Sequence, residues 1–489
     1  MSATARRSIW IALAGMTACA VLAHGAGEAR AAHMATGFKV GEVTQNTAIV
    51  WTRLTKNAER NWDGVKPPRE NEPYVDEYIP SPIAVDDRVG AVPGIRGRVR
   101  VSWGTAEDLS NAQATDWVTL KNSDDNDFIH QFRLSGLKPA TKYYLKVEAR
   151  PHPSDGGDEI TASLTGSFAT PAENDQWQDV KFGVITGQNY WRTDHKDGFE
   201  IYPAMRKMEI DFLVPTGDTV YLDAHAPRAR TVELARHHWH RMYSLPRLAE
   251  FHRFVPGYWE VDDHDAWTND CWPTKVDPWM NPLTFADGFT VFRKQAPMGN
   301  LTYRTVRWGK GLQVWMVEGR LYRSSNRMED GPEKTIWGHE QRDWLMRTIL
   351  ESDADFKVLV SPTPIVGPDR GNKNDNHANR GFTYEGDLFR NWTKEKNLEN
   401  LYVCNGDRHW QYMSVDPKSG LREFSCGPAS DAHAGGAPEH DPEIQPFLRV
   451  KGGFLSVEIT RENGIPTIAF IHRDVHGEPV HEFRDRRQP

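Results

Sequence analysis

The sequence predicts a two-part chain, an all-β domain followed by an α/β domain, and three observations carry that prediction. From Thr36 to about Thr170 apolar residues recur with a period of two, the spacing of half-buried strands. Beyond about Pro171 the grammar changes to strand, helix, strand. Within that second part, four short apolar runs each end abruptly in carboxylates or histidines. At 489 residues the chain exceeds one ordinary core, in keeping with more than one domain.

The first part reads as a β-sandwich over residues 34–171. Thr47–Arg53, Arg98–Trp103 and Lys142–Val147 are strands by alternation and by their β-branched and aromatic content. Leu137-Lys138-Pro139-Ala140-Thr141-Lys142-Tyr143 sets a tyrosine where its hydroxyl can fold back on the chain at a strand corner. This segment resembles a fibronectin type III module, closed by Gly166-Ser167-Phe168-Ala169-Thr170. The Pro-rich, acidic stretch from Asn61 to Gly94 reads as a long loop. No catalytic groups cluster here, so the sandwich is read as accessory.

Ahead of it, residues 1–31 read as an export signal. Arg6-Arg7 precede an apolar stretch from Ile9 to Ala23, and Ala29-Arg30-Ala31 offers a small-x-small cleavage site. The pair Arg6-Arg7 followed by Ser8-Ile9-Trp10 looks like a twin-arginine signal, and the general export route is the alternative. The apolar stretch is short for a membrane span. Together these point to a periplasmic or secreted protein. With 38% hydrophobic and 11% aromatic residues the chain can bury a core. A net charge of −8 argues against a nucleic-acid or anionic-membrane binder, which needs a basic face. Cys19 leaves with the signal. Cys271, Cys404 and Cys426 have no zinc-like spacing, one disulfide among them remains open, and Cys404 lies in a core-strand pattern.

In the second part, residues 176–489, Val180–Thr186, Phe212–Thr216, Phe356–Ser361 and Leu401–Asn405 read as buried strands. Helices are expected over Phe199–Met208, Arg230–Tyr243 and Trp337–Ser352, and Phe454–Ile459 with Thr467–Ile471 as closing antiparallel strands. The chemistry gathers at the apolar run-outs. Phe212–Thr216 meets Gly217-Asp218-Thr219-Val220-Tyr221, and Val255–Trp259 meets Asp262-Asp263-His264-Asp265. Leu312–Val317 meets Glu318-Gly319-Arg320, and Leu401–Asn405 meets Gly406-Asp407-Arg408-His409. Ligands of open α/β sheets sit at the carboxyl ends of strands. Acids and histidines brought together there repel unless a cation or phosphoryl group neutralises them. The pattern is that of a metal-dependent hydrolase.

These blocks, with Thr186-Gly187-Gln188-Asn189, Glu340–Leu345 and the front-end Gly41-Glu42-Val43 and Val50–Leu54, resemble the alkaline phosphatase D family of the metallophosphoesterase superfamily. The resemblance covers nearly all of the chain after the signal. It implies a four-layer α/β/β/α metallophosphatase domain and hydrolysis of small phosphorylated substrates, phosphomonoesters or diesters. It implies metal ligands at Asp218, Tyr221, Asp262, Asp263, Asp407 and His409, with Asp218 shared. His264 would face the phosphoryl oxygens or leaving group, Arg320 would bind phosphate, and Gln188 and Asn189 would contact substrate. The ions implied are divalent or trivalent, Ca2+ and Fe3+. Two departures stand out. Gly187 replaces the family's cysteine ligand, which weakens the case for Fe3+, and Glu318 replaces an aspartate. Lys373-Asn374-Asp375-Asn376-His377 is a candidate source of a replacement ligand. His237, His238 and His240 are expected on the surface or behind the site, and His433 and His440 at a loop rim. A fold-retaining binding protein without turnover, or a hydrolase of sulfate esters or phosphotriesters, are the alternative functions.

Overall fold

The computed structural model describes residues 31–66, 83–121, 126–224 and 227–487. The expected export signal lies outside them except for its last residue, as does the middle of the 61–94 stretch. Two sheets face each other in the first part. One holds Phe38–Gly41, Thr47–Arg53 and Ile129–Ser135; the other is built on Gly97–Gly104, Lys142–Pro151 and Ala162–Ala169. Their inward residues, among them Val50, Val99, Phe132, Leu145 and Phe168, form one core. The tyrosine corner forms as expected, with the Lys138 backbone N–H donating to the Tyr143 hydroxyl at 2.8 Å.

The second part also contains two facing sheets. The five-stranded sheet runs Phe212–Pro215, Val180–Ile185, Phe454–Glu462, Ile465–Arg473, Pro479–Arg486. The seven-stranded sheet runs Arg304–Trp308, Leu312–Met316, Phe356–Ser361, Leu401–Asn405, Arg422–Cys426, Gln411–Val415, Phe447–Arg449. Val184, Val214, Val314, Val358, Val457 and Phe470 meet between them. Their sequence neighbours point the other way. Ile185 and Leu213 pack against Met205 and Trp239 of helices on one outer side. Leu359 and Val403 pack against Leu345 and Phe389 of the helices His339–Glu351 and Thr383–Glu395 on the other. Strands covered on both faces must be apolar at every position, which is why these runs show no alternation. Each large aliphatic side chain so buried contributes about 1.5–3 kcal/mol.

Val180–Ile185 and Phe212–Pro215 pair in parallel, as do Leu312–Met316, Phe356–Ser361, Leu401–Asn405 and Arg422–Cys426. The two sheets present their carboxyl ends at one edge, where the Asp407 N–H donates to Thr186 Oγ1 at 3.3 Å. Two expectations need correction. Val255–Trp259 is not a strand: it is extended and bridges only through Gly257, to Leu213 on one side and Gly41 on the other. The closing antiparallel strands are joined by a third, Pro479–Arg486, whose residues alternate between half-buried and exposed, as suits an edge. Cys271, Cys404 and Cys426 are all free and buried.

Candidate metal centre

Asp218 stands at the centre of the shared edge. Gly217 takes φ +92°, and a Cβ there would lie 2.4 Å from the Asp262 Cβ, so only glycine lets the two loops touch. Asp218 itself has φ +54°. The strain is held by Asp265, whose carboxylate accepts from the N–H groups of Asp218 (2.6 Å), Thr219 (2.8 Å) and Val220 (3.0 Å). It also accepts from the N–H of Asp262 at 3.2 Å, tying both acidic loops together.

The carboxylates and imidazoles expected from the sequence do converge. Asp218, Asp263 and His264 form one group of donor atoms, and Asp218, Asp262 and Asp407 a second, each with its atoms within 4.8 Å of one another. Tyr221 and His409 add a third triangle. The Tyr221 hydroxyl lies 3.1 Å from Asp218 Oδ2 and 3.2 Å from His409 Nε2, which is 3.8 Å from the same carboxylate oxygen. Asp218 Oδ1 and Asp262 Oδ2 are buried with no hydrogen-bond partner among the described residues. An unpartnered buried carboxylate oxygen is costly, and a cation removes that cost.

The electrostatics point the same way. Burial, with Asp263 adding to it, pushes Asp218 up to about 7. Burial, with Asp375 and Asp263, pushes Asp407 up to about 8. Burial also drives Asp262 well above the usual range, although Arg320 opposes it. These acids cannot all be ionised together without positive charge among them. His264 goes the other way: burial works against its charge, but Asp223, Asp263 and Asp218 outweigh burial and hold the imidazole protonated. Its Nδ1 lies 2.7 Å from Asp223 Oδ1.

Several expected site residues are placed elsewhere. Arg320 does not line an open phosphate pocket. It is fully buried, its Nε donating to Asp262 Oδ1 at 2.6 Å and its Nη2 lying 3.6 Å from Asp263 Oδ2. Glu318 turns back to accept the N–H groups of Arg320 and Leu321 and so shapes that loop. The Gln188 amide is buried and accepts from the Tyr202 hydroxyl, while Asn189 caps its own turn by accepting from the Trp191 N–H at 3.0 Å. Of the 373–377 segment, Asp375 faces Arg408 and Lys373, and His377 is sealed against Glu385 at 2.9 Å. Of the two readings for His237, His238 and His240, the surface one fails: all three are buried, and His238 stands behind the site with Nδ1 2.8 Å from the Tyr221 carbonyl oxygen.

The structure also supplies residues that sequence reasoning left unassigned. Asp223 and Asp265 bracket the two motifs, and their acid side chains two to three positions from Tyr221 and Asp262 were the available signal. Arg408 carries a carboxylate ring of its own, meeting Asp407, Asp369 (3.2 Å) and Asp375 (3.4 Å). His433 lies with its ring centroid 3.9 Å from that of His409. Gly187 takes φ +63°, and a Cβ there would come within 3.1 Å of Pro428 and 3.4 Å of His409. The position has no room for an unstrained side chain.

Acids and histidines thus gather at one common edge of two facing sheets. The family model of the PhoD-like phosphatases matches residues 182–446, and that of the PhoD-like phosphatase N-terminal domain residues 19–171. The chain belongs to the PhoD-like phosphatase family. Alkaline phosphatase D of Bacillus subtilis (strain 168) is 23% identical over 332 residues, covering 57% of this chain and 53% of that protein. The chain thus spans about half the length of that relative. Among solved structures, PhoD superposes with a TM-score of 0.71 at 16% identity, covering 94% of this chain and 91% of that one. Purple acid phosphatase PPD1 from yellow lupin seeds (Lupinus luteus) gives 0.60 at 12% identity, covering 91% of this chain and 73% of that one.

Proposed function

We propose that this protein is an exported metal-dependent hydrolase of phosphoric esters, acting on small phosphomonoesters or diesters. The observation that carries the reading is the convergence of Asp262, Asp263 and Asp407 on Asp218, with buried carboxylate oxygens of Asp218 and Asp262 left without hydrogen-bond partners among the described residues. Family membership supports it. Asp218, Tyr221, Asp262, Asp263, Asp407 and His409 would hold the ions; the first five carry hard oxygen donors, which suit Ca2+, and Fe3+ would rely on the Tyr221 phenolate and the His409 imidazole. The bound ions supply Lewis acidity and a water acidic enough to attack phosphorus.

The protein's own groups do the rest. Asp223 fixes His264 through Nδ1, leaving Nε2–H to donate to a phosphoryl or leaving-group oxygen. Arg320 acts through Asp262 and Asp263, helping to hold Asp263 ionised and opposing the burial that favours a protonated Asp262, and does not itself grip phosphate. Asp265 sets the backbone of the Asp218 loop. The two facing cores and outer helices support the four-layer α/β/β/α reading of residues 176–489, with 34–171 as a fibronectin-like sandwich. Export rests on the leader-like residues 6–31 alone. Among the described residues no helix is long and apolar enough to cross a membrane.

The test is hydrolysis of p-nitrophenyl phosphate and bis-p-nitrophenyl phosphate by wild type and by Asp218→Ala. The wild type should turn over at least one of them and the variant neither; equal rates in both proteins contradict the assignment.

A further inference from the structure

We propose that Lys373 is a positioning residue of this centre, a cation that ties the Asp263 loop to the Asp407 loop without touching substrate; the inference rests on the metal-binding part of the reading above. Lys373 lies on the loop between the strand Phe356–Ser361 and the helix Thr383–Glu395. On one side its Nζ is 2.7 Å from Asp270 Oδ1 and 3.0 Å from Oδ2. Asp270 adopts φ +51°, uncommon for a residue with a side chain, and its N–H donates to Asp263 Oδ2 at 2.6 Å. The same turn reaches His264 through Asp223. The Asn269 N–H donates to Asp223 Oδ2 at 2.8 Å, and the other oxygen of that carboxylate holds His264 Nδ1 at 2.7 Å.

On its other side Lys373 Nζ is 3.4 Å from Asp375 Oδ2. That oxygen is 3.4 Å from Arg408 Nη2, and the same nitrogen meets the Asp407 carboxylate. One ammonium group therefore closes a continuous path of polar contacts from Asp263 to Asp407, two acids that converge on Asp218 from different loops. The three hydrogens of Nζ are matched by three carboxylate oxygens, so none is left over for a phosphate. Arg408 is buried, with its Nη2 turned to Asp407, Asp369 and Asp375. These two cations act on the acids of the centre.

The loop that carries Lys373 is fixed in place. At its base the Glu423 carboxylate accepts from the N–H groups of Ile365 (2.6 Å), Val366 (2.9 Å) and Gly367 (2.9 Å). Further along, Asn376 Nδ2 donates to Asp369 Oδ2 at 2.8 Å and Asn379 Nδ2 to Asp375 Oδ1 at 3.1 Å. Arg323 Nη2 donates to the Asp375 carbonyl at 2.5 Å. The charge of Lys373 is thus delivered to a set point. Without it, Asp270 and Asp375 become unbalanced neighbouring carboxylates in a largely dry place. Asp270 then gains by turning away, and its own backbone carries the N–H that orients Asp263. Groups that orient metal ligands in this way govern affinity although they touch no ion.

The experiment is titration of metal-freed full-length protein with Mn2+, a carboxylate-binding probe whose free ion is followed by its paramagnetic resonance signal. The proteins are wild type, Lys373→Met, Lys373→Arg and the control Lys310→Met. Lys310 pairs with Asp353 at the opposite end of the seven-stranded sheet. Lys373→Met keeps the length of the side chain and loses its charge, and should weaken Mn2+ binding by about 10-fold or more. Lys373→Arg can still pair with both acids and should recover most of the affinity, while Lys310→Met matches wild type. Should Lys373→Met fail to fold, Lys373→Gln is titrated in its place and must show the same loss. Wild-type affinity in a folded, uncharged Lys373 variant overturns the assignment, as does a loss in Lys373→Arg as large as that in Lys373→Met. A wild type that binds Mn2+ and hydrolyses no ester removes the hydrolase reading alone. A wild type that binds no Mn2+ removes both.

Discussion

Asp265 shows how much of the centre depends on a side chain outside both groups of ligating atoms. Its two oxygens collect four backbone N–H groups from the Asp218 loop and from Asp262. In Asp265→Asn one oxygen becomes an NH2 group facing donors, so the loop must open. We expect metal affinity to fall by about 10- to 100-fold with the fold retained, measured by calorimetric titration. Gly217→Ala is the harsher change, because φ +92° and a 2.4 Å approach to Asp262 leave a methyl group nowhere to go. It should lose metal and at least about 1 kcal/mol of stability, read by denaturant unfolding. Asp218, Asp263, Asp407 and His409 stood out in the sequence because each comes within four residues of the end of an apolar run. Asp223 did not, since its partner His264 lies 41 positions away in sequence. Arg320 was misplaced for the opposite reason: an arginine beside a strand end reads as an anion binder until its carboxylate partners are seen.

At the scale of elements, the helix Val232–Tyr243 carries the clearest lesson. Its boundaries follow from Thr231, which caps it by accepting from the Leu234 N–H, and were readable to within two residues. Its environment was not. Three histidines and two arginines suggest a wet face, yet the helix is wedged between the first domain and the Tyr221 loop. His240 Nε2 lies 2.6 Å from Asp127 Oδ2, and Asp127 also pairs with Arg53 at 3.1 Å. Burial, with Arg53 adding to it, lowers His240 to about 4, so the imidazole is neutral and donates to an Asp127 kept ionised by Arg53. Burial likewise holds His237 and His252 well below the usual range. All three take up protons more readily when unfolded, where the value is about 6.5. The stability they confer is therefore complete above pH 6.5 and is lost as pH falls toward the folded-state values. The raised carboxylates of Asp218, Asp407 and Asp262 pull the other way in the metal-free protein, so the histidine contribution is read as a difference. Between pH 7 and pH 4.5, His240→Gln should lose at least about 1 kcal/mol less of its stability to urea than wild type does.

For the whole molecule, the element types change near Pro171, from strands with short 3-10 turns to strands alternating with helices, while the contact between the two stretches was invisible in the sequence. Gly257 bridges Gly41 of the first part and Leu213 of the second, so the peptide leading into Asp262 and Asp263 is positioned from both sides. Lys39 seals the joint. It is buried with its Nζ 3.9 Å from the Trp51 ring centre and 4.0 Å from that of Tyr243, and donates to the Gln295 carbonyl at 2.6 Å. Burial lowers its pKa well below the usual value. Lys39→Ala should cost about 2–5 kcal/mol through the cavity left. Lys39→Met, which fills the space without a charge, should cost less than about 1.5 kcal/mol. Thermal unfolding compares the two. The account as a whole stands on cations holding these converged acids together, and metal content is its most direct measure. Protein purified without chelator and analysed by plasma mass spectrometry should carry at least one tightly held ion per chain, lost in Asp218→Asn. A wild type that holds no more metal than Asp218→Asn would contradict it.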